Sequence, residues 1–306
     1  MGEPDLRVGP NRVAFAVLDK ANKLVAAHNF QLYFGKGEQD KAQGPVPVTF
    51  ADDGLGEHAF YEAPVTFPSK GTWALLVAES TPQGMVGGGT EVQVGAPSNV
   101  PNVGEAAIST PTPTFADHKG VAAVCTREPN DPMHDISLDA ALKNGKPTVL
   151  VFASPKFCTS RLCGPVVDQV LRVHDELSAK ANFIHVEVYQ DENGKVLAPA
   201  MLAWKLEAEP ATFVIDKNGI VRTRFIGPVT AGEVRQGLLG VLNPEAKAAA
   251  AGAPGLSGLR LAAVGKAPAG KPPGERNPML GLAAGASIVI ALAAGIYVYK
   301  VIRKGL

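Results

Sequence analysis

Charge, cysteine and aromatic rings are all scarce in this chain. Only 19% of its 306 residues are charged, and 29 acidic side chains cancel 29 basic ones. No basic surface advertises a polyanion, so a nucleic-acid partner is not expected. Three cysteines are too few for a disulfide-stapled scaffold. The first 18 residues carry Glu3, Asp5, Arg7 and Arg12 and no apolar core, so no secretory leader is expected in them. Gly and Pro, by contrast, number 33 and 25. They cluster, which marks joints in a chain long enough for about two domains.

One long apolar run stands at the C-terminal end. Residues 279–299, MLGLAAGASIVIALAAGIYVY, carry no charge. At about 1.5 Å per residue a helix of this length crosses the roughly 30 Å hydrocarbon core of a bilayer. Tyr297 and Tyr299 fall where an interface would lie, and Lys300, Arg303 and Lys304 follow. The reading is a single-pass transmembrane helix. Gly281 and Gly285 form a G-x-x-x-G that would permit a weak homodimer in the membrane. Basic residues flank both ends, so charge does not set the orientation; the soluble part is expected to be extracytoplasmic. Residues 244–278, rich in Ala, Gly and Pro, read as a tether.

Residues 8–95 read as an all-β unit. RVAFAVLD (12–19), NFQLYFGK (29–36), VPVTFA (46–51), FYEAPVTF (60–67), TWALLVAE (72–79) and TEVQVG (90–95) are rich in β-branched and aromatic residues. Asp53-Gly54, Lys70-Gly71 and Gly87-Gly88-Gly89 read as the turns between them. Six short strands in this length suggest an antiparallel sandwich. GTWALLVAE resembles a late strand of extracytoplasmic immunoglobulin-like (Ig-like) domains. His28 and His58 are isolated and read as surface residues. Residues 96–117, GAPSNVPNVGEAAISTPTPTFAD from Gly95 on, read as a Pro/Thr-rich linker.

From 118 to 243 the pattern becomes α/β. VAAVC (121–125) reads as a short strand, and Ser137 as the cap of a helix ending at Gly145. TVLVFAS (148–154) is a continuous apolar run, as a central parallel strand should be. Next comes FCTSRLCGPVV, with Cys158 and Cys163 five residues apart. Pro165 fits the first helical position, which puts Gly164 near the cap and Cys163 just before it. FIHVEVYQD (183–191) reads as a strand and LAPAMLAWKL (197–206) as a helix. ATFVID follows Glu209-Pro210, Asn218-Gly219 turns the chain back, and Thr230 with Glu233 forms a T-x-x-E capping box. Cys125 reads as a buried or spare thiol, His134 as a surface or capping residue, and His174 and His185 as structural.

The order β-α-β-α-β-α-β-β-α, with cysteines between the first central strand and its helix, resembles the thioredoxin superfamily over 118–243. The resemblance rests on TVLVFAS, CGPVV, Glu209-Pro210 before ATFVID, and the final hairpin and helix. It implies a thioredoxin-like domain, a cis Pro210 beside the dithiol, and thiol–disulfide exchange with partner proteins through Cys158 and Cys163, without a cofactor. Unpaired N–H groups at a helix start favour a thiolate, the reactive form. Two departures bear on mechanism. The spacing is C-x4-C where thioredoxins carry C-x-x-C. Counted from the strand, Cys158 takes the attacking position; counted back from the helix, Cys163 does, and Cys158 is favoured. No acidic residue lies within TVLVFAS, so Glu209 either substitutes for the family's buried carboxylate or raises a thiol pKa.

Three other readings stay open. Two thiolates suit Cu(I), and FCTSRLCGP looks like the site of Sco-type copper chaperones, although no histidine follows His185. Pro155, Thr159 and Cys163 approach the peroxiredoxin motif, with the cysteine one residue late. The pair could also be a structural disulfide in a non-catalytic interaction module.

Overall fold

The computed structural model describes residues 5–26, 29–36, 41–82, 84–244 and 289–292. His28 and all of the expected tether but Pro244 lie outside them. Among the described residues, seven strands fill the N-terminal part: β1 (Gly9–Leu18), β2 (Gln31–Gly35), β3 (Gln43–Pro47), β4 (Thr49–Ala51), β5 (Phe60–Phe67), β6 (Gly71–Thr81) and β7 (Gly84–Val94). Strands β1, β5 and β4 form one sheet, and β3, β2, β6 and β7 the other. Both sheets feed one core, in which Phe15, Tyr61 and Phe67 meet Leu32, Trp73 and Val92. The period-2 burial of β1 and β5 is what such a two-layer packing requires.

Two local expectations are corrected. VPVTFA is not one strand. It breaks after Pro47, and β3 pairs with β2 whereas β4 pairs with β5. Proline has no N–H to continue a ladder, so the chain changes sheets there. Nor do Gly87, Gly88 and Gly89 form a turn, because they lie inside β7. A Cβ on Gly87 would stand 2.3 Å from the Val77 carbonyl oxygen of β6, so a side chain cannot fit at that position.

The α/β part contains α1 (Leu138–Ala141), β8 (Thr148–Phe152), α2 (Cys163–Leu177), β9 (Asn182–Val186), α3 (Pro199–Ala203), β10 (Ala211–Ile215), β11 (Val221–Ile226) and α4 (Ala231–Leu242). The strand order is β11-β10-β8-β9, with β8 parallel to β9 and antiparallel to β10. Every residue of β8 and β10 is buried, as suits central strands covered on both faces. This is the element order that the resemblance implies, less its first strand. VAAVC is irregular: Ala122 makes one backbone bond, to Gln190, and no ladder. The polar residues after it are drawn into the interior instead. The helix expected over 197–206 shrinks to α3. The capping box of α4 is present, with both Thr230 and Glu233 bonded as expected.

Residues 96–117 lack regular structure but are pinned. Ala106 bridges to Ile220, Trp204 Nε1 donates to the Ile108 carbonyl, and buried Thr112 accepts from the Leu138 N–H. The two parts also meet directly. Arg12 donates to Glu62 at 2.7 Å and to Glu233 at 3.0 Å, with its guanidinium between the rings of Phe60 and Phe225. Arg224 pairs with Asp5 at 2.8 Å. The Asp53-Gly54 turn reaches α2 and α4: the Asp53 carbonyl accepts from Arg172, and its carboxylate accepts from the Gly232 N–H. That places a negative charge at the N-terminus of α4, where the helix dipole favours it.

The expected membrane helix, 279–299, lies outside the described residues except for Val289–Leu292. Those four form a strand, β12, antiparallel to β1 at the edge of the first sheet. Gly281 and Gly285 are not among the described residues. Among the described residues, no helix is long and apolar enough to cross a membrane.

Candidate active site

The strand β8 ends at Phe152, and the chain turns over Ala153 and Ser154 into the cysteine loop. The Cys158 N–H donates to the Ser154 carbonyl, and Arg161 takes a left-handed conformation at φ 59°. The chain then enters α2 at Cys163, two residues earlier than Pro165 suggests. Proline lacks only an N–H, which is free anyway in a first helical turn, so it is as well placed third as first. Cys163 is therefore inside the helix start rather than before its cap.

Cys158 and Cys163 form a disulfide, with Cα atoms 5.9 Å apart. Their environments differ sharply. Cys163 is wholly buried, against Val166 and Val167 of its own helix and the end of β8. Cys158 is partly exposed, and its sulfur lies 3.1 Å from the Ser160 hydroxyl. No acidic residue stands in the first turn of α2, so nothing there offsets the helix dipole. Lys156 and Arg161 are exposed on the same loop and add positive charge to it.

The Glu209–Pro210 peptide is cis, and the Glu209 side chain reaches the dithiol. Glu209 Oε2 is 3.3 Å from the Cys163 sulfur and accepts from the Ser154 N–H at 2.9 Å. Burial pushes its carboxyl up to about 7, against that N–H, and the charge of Glu187 pushes the same way. A group titrating there can take or give a proton near neutral pH. Glu187 stands one step further in. Its carboxylate accepts from the Ser154 hydroxyl at 2.6 Å and from the Thr126 N–H at 2.6 Å. Ser154 thus ties two carboxyl groups to the end of β8.

An apolar collar closes one side. Phe157 meets Tyr189 edge-on, and the Lys156 ammonium lies 5.4 Å from the Phe157 ring centre. Gly194, at φ 65°, passes so near Phe157 that a Cβ would stand 2.7 Å from its ring.

Sequence reasoning places Cys158, Cys163 and Pro210 on one loop system and offers Glu209 as a neighbour. It misses Ser154 and Glu187. The available signal was a charged residue in the apolar segment FIHVEVY, where Glu187 follows β9 directly. It also misplaces His134, which is buried, not on the surface. His58 is partly exposed beside Glu57 and touches none of these residues.

No protein-family model matches the chain, and no curated protein does. Solved structures do align with it. A thioredoxin-family thiol:disulfide interchange protein from Chlorobium tepidum TLS is 18% identical, covering 44% of this chain and 99% of its own, at a TM-score of 0.30. A putative thiol:disulfide interchange protein DsbE from Chlorobium tepidum is 16% identical over 46% of this chain and 99% of its own, at 0.34. StoA from Bacillus subtilis is 18% identical over 39% and 98%, at 0.28. Likeness at this level leaves the chemistry to be argued from the disulfide and its neighbours.

Proposed function

We propose that the chain is a thiol–disulfide oxidoreductase acting on cysteines of partner proteins, its soluble part an Ig-like sandwich joined to a thioredoxin-like domain. One observation carries this reading. The disulfide joins a reachable sulfur, Cys158, to a buried one, Cys163, and the carboxyl beside Cys163, Glu209, is pushed up to about 7. A purely structural disulfide requires no such proton acceptor.

In the reducing direction the Cys158 thiolate attacks a partner disulfide. A mixed disulfide forms, and the first partner sulfur leaves as a thiolate. The Cys163 thiol then passes its proton to the Glu209 carboxylate and attacks the Cys158 sulfur. The second partner sulfur leaves and takes up a proton. Two electrons move from this chain to the partner, and a dithiol reductant of the same chemical class resets the pair. Oxidation of a partner runs the same steps backward, with Glu209 returning its proton to Cys163.

The test is trapping. Cys163→Ser should accumulate mixed disulfides through Cys158, and Cys158→Ser should not. Equal absence of adducts from both variants, with no exchange on a model disulfide, would leave a structural bridge and end the enzymatic reading. The membrane anchor is proposed from the uncharged run 279–299 alone. The full chain should stay with membranes through alkaline carbonate, and a chain cut after residue 278 should not. Release of the full chain would refute the anchor.

A further inference from the structure

Behind the dithiol lies a second cluster that the redox reading does not use. Cys125, Asp131 and His134 come from the irregular segment before α1, and His185 comes from β9. One ligand-type atom from each lies within 4.8 Å of every other. Asp131, His134 and His185 have side chains without solvent exposure, and Cys125 is partly exposed.

The contacts inside the cluster do not close around a neutral imidazole. His185 Nε2 is 3.0 Å from the Ala153 carbonyl, which can only accept, so this nitrogen carries a hydrogen. In a neutral imidazole the other nitrogen, Nδ1, is then a bare lone pair. Yet Nδ1 lies 2.8 Å from Asp131 Oδ2, itself an acceptor. At that distance either His185 is the imidazolium and donates from Nδ1, or a metal cation lies beside the pair. His134 presents a sharper case. It is fully buried, and among the described residues neither of its ring nitrogens has a hydrogen-bond partner; its Nε2 lies 3.3 Å from Asp131 Oδ1 without bonding geometry. Leaving one buried polar group unpaired costs about 1–3 kcal/mol. The Cys125 sulfur points into the same space, 3.2 Å from Asp131 Oδ2.

We propose that Cys125, Asp131, His134 and His185 bind one divalent cation of the zinc class. A thiolate, two imidazoles and a carboxylate are the donors of a closed tetrahedral zinc site. Bond lengths of about 2.0–2.3 Å put ligand atoms about 3.3–3.8 Å apart, so the present spacing needs only small adjustment. The charges also balance: a dication with one thiolate and one carboxylate is neutral, which suits an interior. The Ala153 carbonyl is the outer partner that fixes the His185 tautomer, as metal-bound histidines require. Four protein ligands leave no open position, so the role is structural. The ion staples an irregular loop, 122–135, to β9, in place of the ladder that VAAVC does not make. This inference is independent of the redox reading.

Cobalt(II) tests it, because tetrahedral thiolate-bound cobalt absorbs strongly and the aqua ion does not. The chain holds three cysteines. In full-length Cys158→Ser/Cys163→Ser, any thiolate-to-cobalt band must therefore come from Cys125. The expected result is a tetrahedral spectrum with a thiolate band, saturating at one cobalt per chain and displaced by zinc. Adding His134→Gln should weaken binding by on the order of tenfold or more. Zinc should also raise the Tm of the otherwise unaltered chain above its value in chelator. An aqua-ion spectrum in excess cobalt overturns the proposal and leaves a protonated His185 as the cation. A thiolate band indifferent to His134→Gln overturns the four-ligand assignment. If the His134 variant does not fold, the spectrum of the double variant and the zinc-dependent Tm decide.

Discussion

Replacing Glu209 by Gln should abolish one component of the pH dependence of stability in the oxidised chain. The disulfide removes both neighbouring thiols from the titration, which isolates the carboxyl. Its pKa is raised from the ordinary 4.5 to about 7. Between those values the folded chain holds a proton that the unfolded chain has released. The stabilisation is therefore complete below 4.5 and is lost as pH rises through about 7. A shift of this size, trimmed for the solvent that reaches a partly exposed group, corresponds to roughly 2–3 kcal/mol. Glu209→Gln keeps the shape and cannot ionise. It should match the unaltered chain at about pH 4 and exceed it by roughly 2–3 kcal/mol at about pH 8. Urea unfolding followed by tryptophan fluorescence reads this directly. Trp204 packs against Phe152 and Phe213 in the α/β core, and Trp73→Phe leaves it the sole tryptophan. Taking the difference between the two chains cancels the histidines, which titrate in both. Parallel pH profiles would refute the reasoning, as would a profile for the unaltered chain that rises through this window relative to the variant.

Arg12→Ala should cost about 1.5–3 kcal/mol, since it strands Glu62 and Glu233 beside each other, and should split the unfolding of the two cores into separate transitions reported by Trp73 and Trp204. Thr230→Ala should cost about 1 kcal/mol by removing the α4 cap, measured by chemical denaturation. Gly194→Ala forces both a left-handed backbone and a clash with Phe157, so it should destabilise by about 1–2 kcal/mol and, after reduction, hasten alkylation of Cys158.

Much of this architecture is legible in the residues. The alternation in FYEAPVTF, the continuous run TVLVFAS and the T-x-x-E at Thr230 each depend on neighbours close in sequence, and each appears where expected. The failures share a cause, which is long-range contact. VAAVC has the composition of a strand, but the residues after it fold inward to meet His185, about sixty positions later. Gly87-Gly88-Gly89 has the composition of a turn, but the backbone of β6 presses on it and excludes side chains. Glu209 was visible as a neighbour of Pro210, whereas its displaced pKa depends on Ser154, Glu187 and burial, none of which is local.

The contact of Arg12 with Glu233 has a consequence for the order of assembly. Glu233 serves two masters: its carboxylate closes the first turn of α4 through Thr230, and it also receives the sandwich's arginine. The carboxylate is oriented for the arginine only once that turn has wound. Docking of the N-terminal half is thereby coupled to the last helix of the C-terminal half, although the N-terminal half leaves the ribosome first. A nascent chain would present the sandwich with its arginine held by Glu62 alone until residue 233 had been synthesised.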